Sequence, residues 1–346
     1  MEELVEEILL RLPPQEPAHL VRAALVCKAW RTMLCDSSRG GFPRRYREFH
    51  GTPHLVGYLH NSYPLCQPRF VPAASAAFPP LSMPELVSGK SIRWVWALDC
   101  RHGRVLFVVS SDSGIRFIVW DPITRDTKYL TVPAAHRPQS FTAAVLCAID
   151  GCDHLDCHGG PFRVVLVENA TANDTDKVGW ATIYSSETDA WSAASPSIAL
   201  GYDIDAAPSL LIGDALYFTI TASRETITNV LKDNLDRHEL SVISVPGVPR
   251  GAVAMKTEDG GLGFVFISRK RKRLYQKSWQ ATGANGAGRW ACHRTIDLET
   301  AFLPEYPRKL IGHADGTDTI LVRTDVGAFT LDLKSRQSRT ERRPKI

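Results

Sequence analysis

No run of apolar residues in this 346-residue chain approaches the roughly 20 needed to cross a bilayer as a helix. The N-terminus is acidic and amphipathic, unlike the basic, uniformly apolar start of a signal peptide. The sequence therefore reads as a soluble chain of the cytoplasm or nucleus with no membrane partner. Cysteine is scarce. Eight residues are too few for a disulfide framework at this length, and Cys27, Cys100 and Cys147 sit in apolar contexts, so reduced thiols are expected. An excess of one charge is missing too: 41 Lys and Arg against 37 Asp and Glu, a formal +4, give no general case for a nucleic-acid partner.

Signatures of catalysis are equally sparse. There is no G-x-S-x-G elbow and no H-E-x-x-H, and Ser88-Gly89-Lys90-Ser91 lacks the upstream glycine that closes a phosphate cradle. The paired Cys and His knuckles of a RING are absent. The chain is read as non-catalytic and without a cofactor. Its length suffices for one large domain or two ordinary ones.

What is present begins at the N-terminus. Leu4, Val5, Ile8, Leu9 and Leu12 recur at one-helix-face spacing, with Glu2, Glu3, Glu6 and Glu7 early, where carboxylates favour the positive end of the helix dipole. Pro13 and Pro14 end that helix. A second run starts at Pro17, with Leu20, Ala23, Val26, Cys27, Trp30, Met33 and Leu34 on one face and Arg22, Lys28 and Arg31 on the other. A helical hairpin over residues 1–38 is expected. Helices this short cannot bury enough surface alone, so Leu4, Ile8, Leu12, Val26 and Trp30 call for a partner.

Residues 39–54 turn to Gly, Pro, Arg and Ser and read as a basic linker, with Arg39, Arg44, Arg45 and Arg47 forming a solvated surface. Leu55 to Leu59 reads as a strand, followed by Pro-rich chain to Pro84 in which regular sheet is hard to sustain. Beyond it a pattern repeats: a glycine, an apolar strand, a polar turn and a second strand. The anchors are Gly103, Gly160, Gly213, Gly261 and Gly316, spaced 57, 53, 48 and 55 residues apart, close to the roughly 50-residue kelch period. Strand-like segments between them (Arg93 to Leu98, Phe141 to Ala148, Arg308 to Ile311) permit three or four strands per unit. Sheets apolar on both faces need neighbours on both sides, which radial closure provides. One more unit between Leu55 and Leu98 brings the count to about six. The fold class expected is multidomain and mainly β: a short helical unit followed, over residues 55–346, by a kelch-like β-propeller. A β-sandwich competes, but it rarely needs some 250 residues in one series.

Two polar clusters stand out. Cys147, Cys152, His154, Cys157 and His158 carry zinc-type ligands, Cys152, His154, Cys157 and His158 being the weak metal candidates. Their spacing lacks the usual C-x2-C or H-x3-H step, and Cys147 ends an apolar strand, so no metal is assigned and a surface loop with local bonds from His154 and Asp156 is the plainer reading. Arg269, Lys270, Arg271, Lys272 and Arg273 could form a nuclear-import patch, although a solvated hairpin tip is the plainer reading of the run. The basic tail from Lys334 to Lys345 reads as frayed.

The order Glu3-Leu4-Val5-Glu6-Glu7-Ile8-Leu9, Arg11-Leu12-Pro13, Leu20-Val21-Arg22 and Val26-Cys27-Lys28-Ala29-Trp30-Arg31 resembles the F-box. Where that family carries a leading Leu-Pro, Met1 stands here. The segments HGRVLF, VWDPITR, AAVLCAIDGCDHLDCHGGPFRVVLV, IYSSETDAWS, GDALYF and HADGTDTILVRTDVGAFTLDLKS look like the C-terminal region of plant F-box proteins of the large grass set. The resemblance implies an adaptor-binding surface for an SKP-type adaptor and, through it, cullin, formed by Leu4, Ile8, Leu12, Pro13, Val26, Cys27 and Trp30. It also implies a platform for a protein substrate. The expected function is that of a substrate-recognition subunit of a cullin-RING ubiquitin ligase. A ligase-independent interaction protein, or a propeller enzyme or sugar-binding module, are the alternatives.

Overall fold

The computed structural model describes the chain apart from residues 1, 15, 37, 39–40, 52–55, 63–66, 73–82, 85–91, 113, 133–139, 155–156, 174–175, 222–225, 269, 271, 282–287, 302–308, 315, 326 and 341–346. Four helices open it: α1 (Glu2–Leu10), α2 (Ala18–Ala24), α3 (Lys28–Leu34) and α4 (Phe42–His50). The run that reads as one second helix is broken at Leu25 to Cys27, where Cys27 adopts an extended backbone and its Sγ accepts the Trp30 N–H at 3.5 Å, starting α3. The basic stretch 39–54, read as a linker, contains α4, with Pro43 in its first turn, where a missing N–H costs nothing.

The body is five antiparallel sheets of four or five strands in chain order. The first is β3 (Ile92–Arg101), β4 (Arg104–Ser111), β5 (Gly114–Trp120) and β6 (Thr127–Thr131), preceded by a separate two-stranded sheet of β1 (Gly57–Ser62) and β2 (Gln67–Pro72). The second is β7 (Ser140–Cys147), β8 (Phe162–Asn173), β9 (Asp176–Ser185) and β10 (Ala190–Trp191), with β11 (Ile198–Ala199) beside β9. In the third, β12 (Asp203–Ile204) and β13 (Leu210–Ile212) share one edge of β14 (Ala215–Thr221), followed by β15 (Thr226–Asn234) and β16 (Glu239–Pro249). The fourth is β17 (Val253–Lys256), β18 (Leu262–Ser268), β19 (Arg273–Ala281) and β20 (Gly288–Asp297), leading into the single turn α5 (Leu298–Ala301). The fifth is β21 (Lys309–His313), β22 (Thr319–Arg323), β23 (Ala328–Asp332) and β24 (Ser338–Thr340).

Strand periodicity explains why these sheets stack as blades. Successive side chains point to opposite faces. On β7 and β8, Ala143, Val145, Val164 and Leu166 pack against Leu98, Leu106 and Phe117 of the first blade. Their neighbours Ala144, Leu146, Val165 and Val167 pack against Leu216, Phe218 and Ile220 of the third. Leu210 and Val230 then meet Phe264 of the fourth blade, and Val265 and Leu274 meet Ile320 and Val322 of the fifth. Each buried Val, Leu or Phe contributes roughly 1.5–3 kcal/mol. The first strands of successive blades adjoin one another (β3 with β7, β7 with β12, β13 with β17, β17 with β21), which places them innermost.

The blade count is five, not about six. The five anchoring glycines mark the five inner turns, with Gly103, Gly213 and Gly316 at φ of 73°, 55° and 72°, where a side chain is strained. Where a sixth unit was expected, the described residues form the β1–β2 hairpin. Its Tyr58 and Val71 pack on Leu321 and Ala328 of the fifth blade, and its Leu59 packs on the first blade, so it fills the space between them. The Asn61 amide bonds both the N–H and the C=O of Ala97 at 2.8 Å, replacing a backbone ladder with a side chain. Pro68 and Pro72 are tolerated in β2 because a two-stranded sheet consists of edges.

Candidate functional site

The helical unit has a core and an open face. Leu9, Leu10, Ala23 and Phe42 are buried, with Val5, Leu12, Leu20, Trp30, Met33, Leu34 and Tyr46 packed around them. Helix α4 closes this core: Tyr46 Oη donates to the Leu12 carbonyl and His50 Nε2 meets the Leu10 carbonyl, both at 2.7 Å. Burial pushes the Tyr46 hydroxyl above its ordinary pKa. Arg45 pairs with Glu6 at 2.6 Å and Glu7 at 2.9 Å, so one of the arginines read as solvated joins α4 to α1.

Helix α1 is apolar on two sides, and only one is covered. Val5, Leu9 and Leu12 face inward, whereas Leu4 and Ile8, one turn apart, are 68% and 63% exposed. Val21, Leu25 and Val26 are exposed by 61%, 78% and 64%. Five of the eleven exposed large hydrophobics among the described residues thus fall within the first 26 positions, the signature of a surface awaiting a partner.

Of the seven residues expected to bind an adaptor, Leu4, Ile8, Pro13, Val26 and Cys27 lie open. Leu12 and Trp30 are partly buried in the helical core, where the break at Leu25 to Cys27 folds α3 back onto α2 and against α4. Val21 and Leu25 are not among the seven residues expected to bind an adaptor. Their i, i+4 spacing on α2 was the available signal, masked by the stronger Leu20 and Ala23 stripe.

Among the metal candidates, Cys152, His154 and Cys157 come together with Cys147, their ligand atoms all within 4.8 Å of one another. His158 does not join them. Its Nδ1 lies 2.9 Å from Asp121 Oδ2, and its ring covers Gly103. Burial would raise the Asp121 carboxyl, but hydrogen bonds from His158 and from the Ile123 and Thr124 N–H groups outweigh it and hold the pKa below its ordinary value. Asp156 lies outside the described residues. So do Arg269 and Arg271 of the basic run. Lys270, Lys272 and Arg273 are exposed around the β18–β19 turn, with Lys272 paired to Glu299, which is the geometry of a hairpin tip.

Near the inner strands, Arg101 and Asp99 form a buried ion pair at 3.2 Å. Arg101 Nη2 donates to the Ser209 carbonyl at 2.8 Å and Asp99 Oδ2 accepts the Val145 N–H at 2.9 Å, so the pair ties three blades together. Burial, with the His154 ring and two arginines nearby, pushes His102 down to a pKa of about 3, leaving it a neutral acceptor for the Cys147 N–H.

Residues 2–40 match the F-box domain. An Arabidopsis thaliana protein assigned the name F-box only protein 11 is 31% identical over 139 residues, which is 39% of this chain and 33% of that protein. The match therefore spans about a third of the relative's length. Among solved structures, the WD40 domain of SCAP from fission yeast aligns over 73% of this chain and 56% of that one, at 12% identity and a TM-score of 0.40. Hsv2 of Kluyveromyces lactis aligns over 74% and 64%, at 10% identity and 0.39. At such scores the architecture rests on the strand order above. The chain carries an F-box domain at its N-terminus followed by a β-propeller-like body, an organisation consistent with its plant F-box relative.

Proposed function

We propose that the chain is a substrate-recognition subunit of an SCF-type cullin-RING ubiquitin ligase. The F-box domain docks on an SKP-type adaptor, and through it on cullin, while the propeller-like body holds a protein substrate. The observation that carries this reading is the open apolar face of Leu4, Ile8, Val21, Leu25 and Val26 within the segment that matches the F-box. A hydrophobic face of this kind is stable in water only when covered, and anchors of Leu and Ile are suited to a helical groove.

The mechanism is proximity. Two binding surfaces on one body convert a chance encounter of substrate and ligase into an effectively intramolecular one. No bond is made or broken by this chain, and no cofactor is involved. The polar groups nearest the inner strands support that reading, because Asp99, Arg101 and Ser209 bond one another in a buried cluster. Such a ligase subunit works in the cytoplasm or nucleus.

The test is co-purification of the full chain and its Leu4→Asp, Ile8→Asp variant with an SKP-type adaptor. At about 2 kcal/mol per anchor the variant loses at least ~100-fold in affinity. Both side chains are exposed, so its thermal transition stays that of the parent. Undiminished binding by the variant overturns the assignment of this face, and absence of binding by the parent overturns the receptor reading.

A further inference from the structure

The loop between β7 and β8 runs from Ala148 to Pro161, 14 residues, and is closed at its base by the Ala148 N–H donating to the Pro161 carbonyl at 3.0 Å. Its described residues form no strand or helix, and loops of this length are uncommon unless functional or ordered by other contacts. Apolar burial does not order Cys152 and His154, since Cys152 is only half-buried and His154 is exposed. Yet both point at Cys147 and Cys157, and the three Sγ atoms and one imidazole nitrogen lie within 4.8 Å of one another. A tetrahedral zinc with Zn–S near 2.3 Å places its sulfurs ~3.8 Å apart. The four side chains therefore stand about 1 Å or less per pair from a closed coordination shell.

Each of the three sulfurs is faced by a hydrogen-bond donor. Cys147 Sγ accepts the Ile149 N–H at 3.5 Å and Cys152 Sγ accepts the His154 N–H at 3.4 Å, each a donor two residues further along. Cys157 Sγ faces the Arg104 guanidinium at 3.7 Å. Arg104 is fixed in turn by the Cys157 and Gly160 carbonyls at 2.6 Å and 2.8 Å. The His154 ring stacks on His102 at a centroid distance of 3.6 Å, and His102 Nδ1 accepts the Cys147 N–H at 3.1 Å, so one side chain orients two of the four. His154 holds this position at φ 61°, a left-handed conformation that non-glycine residues rarely adopt. Three sulfurs, one nitrogen and no carboxylate in a four-membered set are the donors of a closed structural zinc site, and are poor ligands for calcium or magnesium.

We propose that Cys147, Cys152, His154 and Cys157 bind a structural zinc ion. The site has a definite place in the molecule. Asp153, between two of the ligands, pairs with Arg44, and its carbonyl accepts from Arg47 at 3.5 Å, both on helix α4. The ion thus orders the loop that helix α4 contacts.

The test is metal analysis of the full chain, expressed with zinc and purified under reducing conditions without chelator, followed by cobalt exchange. About one zinc per chain is expected, and the cobalt form shows the absorption of a tetrahedral site with thiolate-to-cobalt charge transfer. His158→Gln retains the metal, because His158 bonds Asp121 instead. Cys152→Ser with Cys157→Ser loses it, and His154→Cys keeps it with a shifted cobalt spectrum. If the serine variant fails to fold, the His154→Cys variant decides, since a fourth thiolate raises the thiolate-to-cobalt charge-transfer intensity by about one third over the parent. A parent chain free of zinc that gives no tetrahedral cobalt spectrum, or metal content unchanged in the folded serine variant, overturns the proposal.

Discussion

Replacing Arg101 by Met leaves Asp99 as a buried, uncompensated carboxylate. The side chains of Arg101 and Asp99 are 5% and 3% exposed, so solvent cannot substitute for the missing guanidinium. Breaking a buried pair from one side typically costs 3–5 kcal/mol. The Ser209 carbonyl and hydroxyl lose their donors in the same step. With an unfolding entropy near 2.1 cal/mol/K per residue, a body of this size loses about 0.6 kcal/mol per degree, so Arg101→Met lowers the transition by roughly 5–8 °C. Asp99→Asn alone retains a side chain able to accept the Val145 N–H at similar geometry, and costs less. The two changes together cost less than their sum, because the uncompensated charge is gone, with a coupling of about 1–3 kcal/mol. The assay is a double-mutant cycle in urea, followed through tryptophan fluorescence. Additive effects, or a cost under about 1 kcal/mol for Arg101→Met, would refute the reasoning that this pair fastens three blades.

Three further outcomes follow from named contacts. Burial pushes the Asp233 carboxyl up to about 6, and its Oδ2 has no hydrogen-bond partner among the described residues. Its contribution is therefore complete below the unfolded value near 3.8 and is lost as pH rises through about 6, by at most ~3 kcal/mol; Asp233→Asn stabilises the chain at pH 7.5 but not at pH 4, as denaturation at the two pH values will show. Gly103→Ala places a Cβ 2.5 Å from His158 Cε1 at φ 73°, so it should cost roughly 1–3 kcal/mol, and adding His158→Ala recovers the steric part, read from urea midpoints. Arg44→Glu sets two carboxylates together where Arg44 and Asp153 now pair; both are more than a third exposed, so stability changes by less than about 1 kcal/mol while hydrogen exchange rises in residues 42–50 and around Asp153.

The repeated glycine and strand pattern made the blades legible because a strand buried on both faces carries a continuous apolar run, as Val105–Val109 of β4 and Ala143–Leu146 of β7 do. The sixth unit was inferred from the length between Leu55 and Leu98. Length does not reveal that Asn61 and Tyr58 let a two-stranded hairpin do the work of a blade. The F-box was legible from its residue order, but the division of its apolar residues was not. Helical periodicity shows that Leu4, Ile8, Leu12 and Trp30 are all apolar, and only the turn at Cys27 and the closure by α4 decide which become core. The cysteine loop reads poorly as a metal site by its spacing, since Cys152 follows Cys147 by five positions rather than three. What closes that gap lies elsewhere in the chain: the β3–β4 turn supplies His102 and Arg104, which reach the loop from 45 and 53 residues away in sequence.

These two illegible features meet at one place. The helix hidden in the basic stretch and the loop discounted for its spacing touch each other through Arg44, Arg47 and Asp153. A receptor that works by proximity gains most when its two surfaces are held at a fixed separation, because a loose joint spreads the same substrate over a larger volume and lowers its effective concentration at the ligase. An exposed ion pair alone is too weak to fix such a joint. Helix α4 is held on one side by the buried Phe42 and by Tyr46 and His50 bonded to α1 and its C-terminal turn. On the other side Asp153 sits between two of the proposed ligands, so a metal bound by the four side chains would stiffen the loop end of the joint.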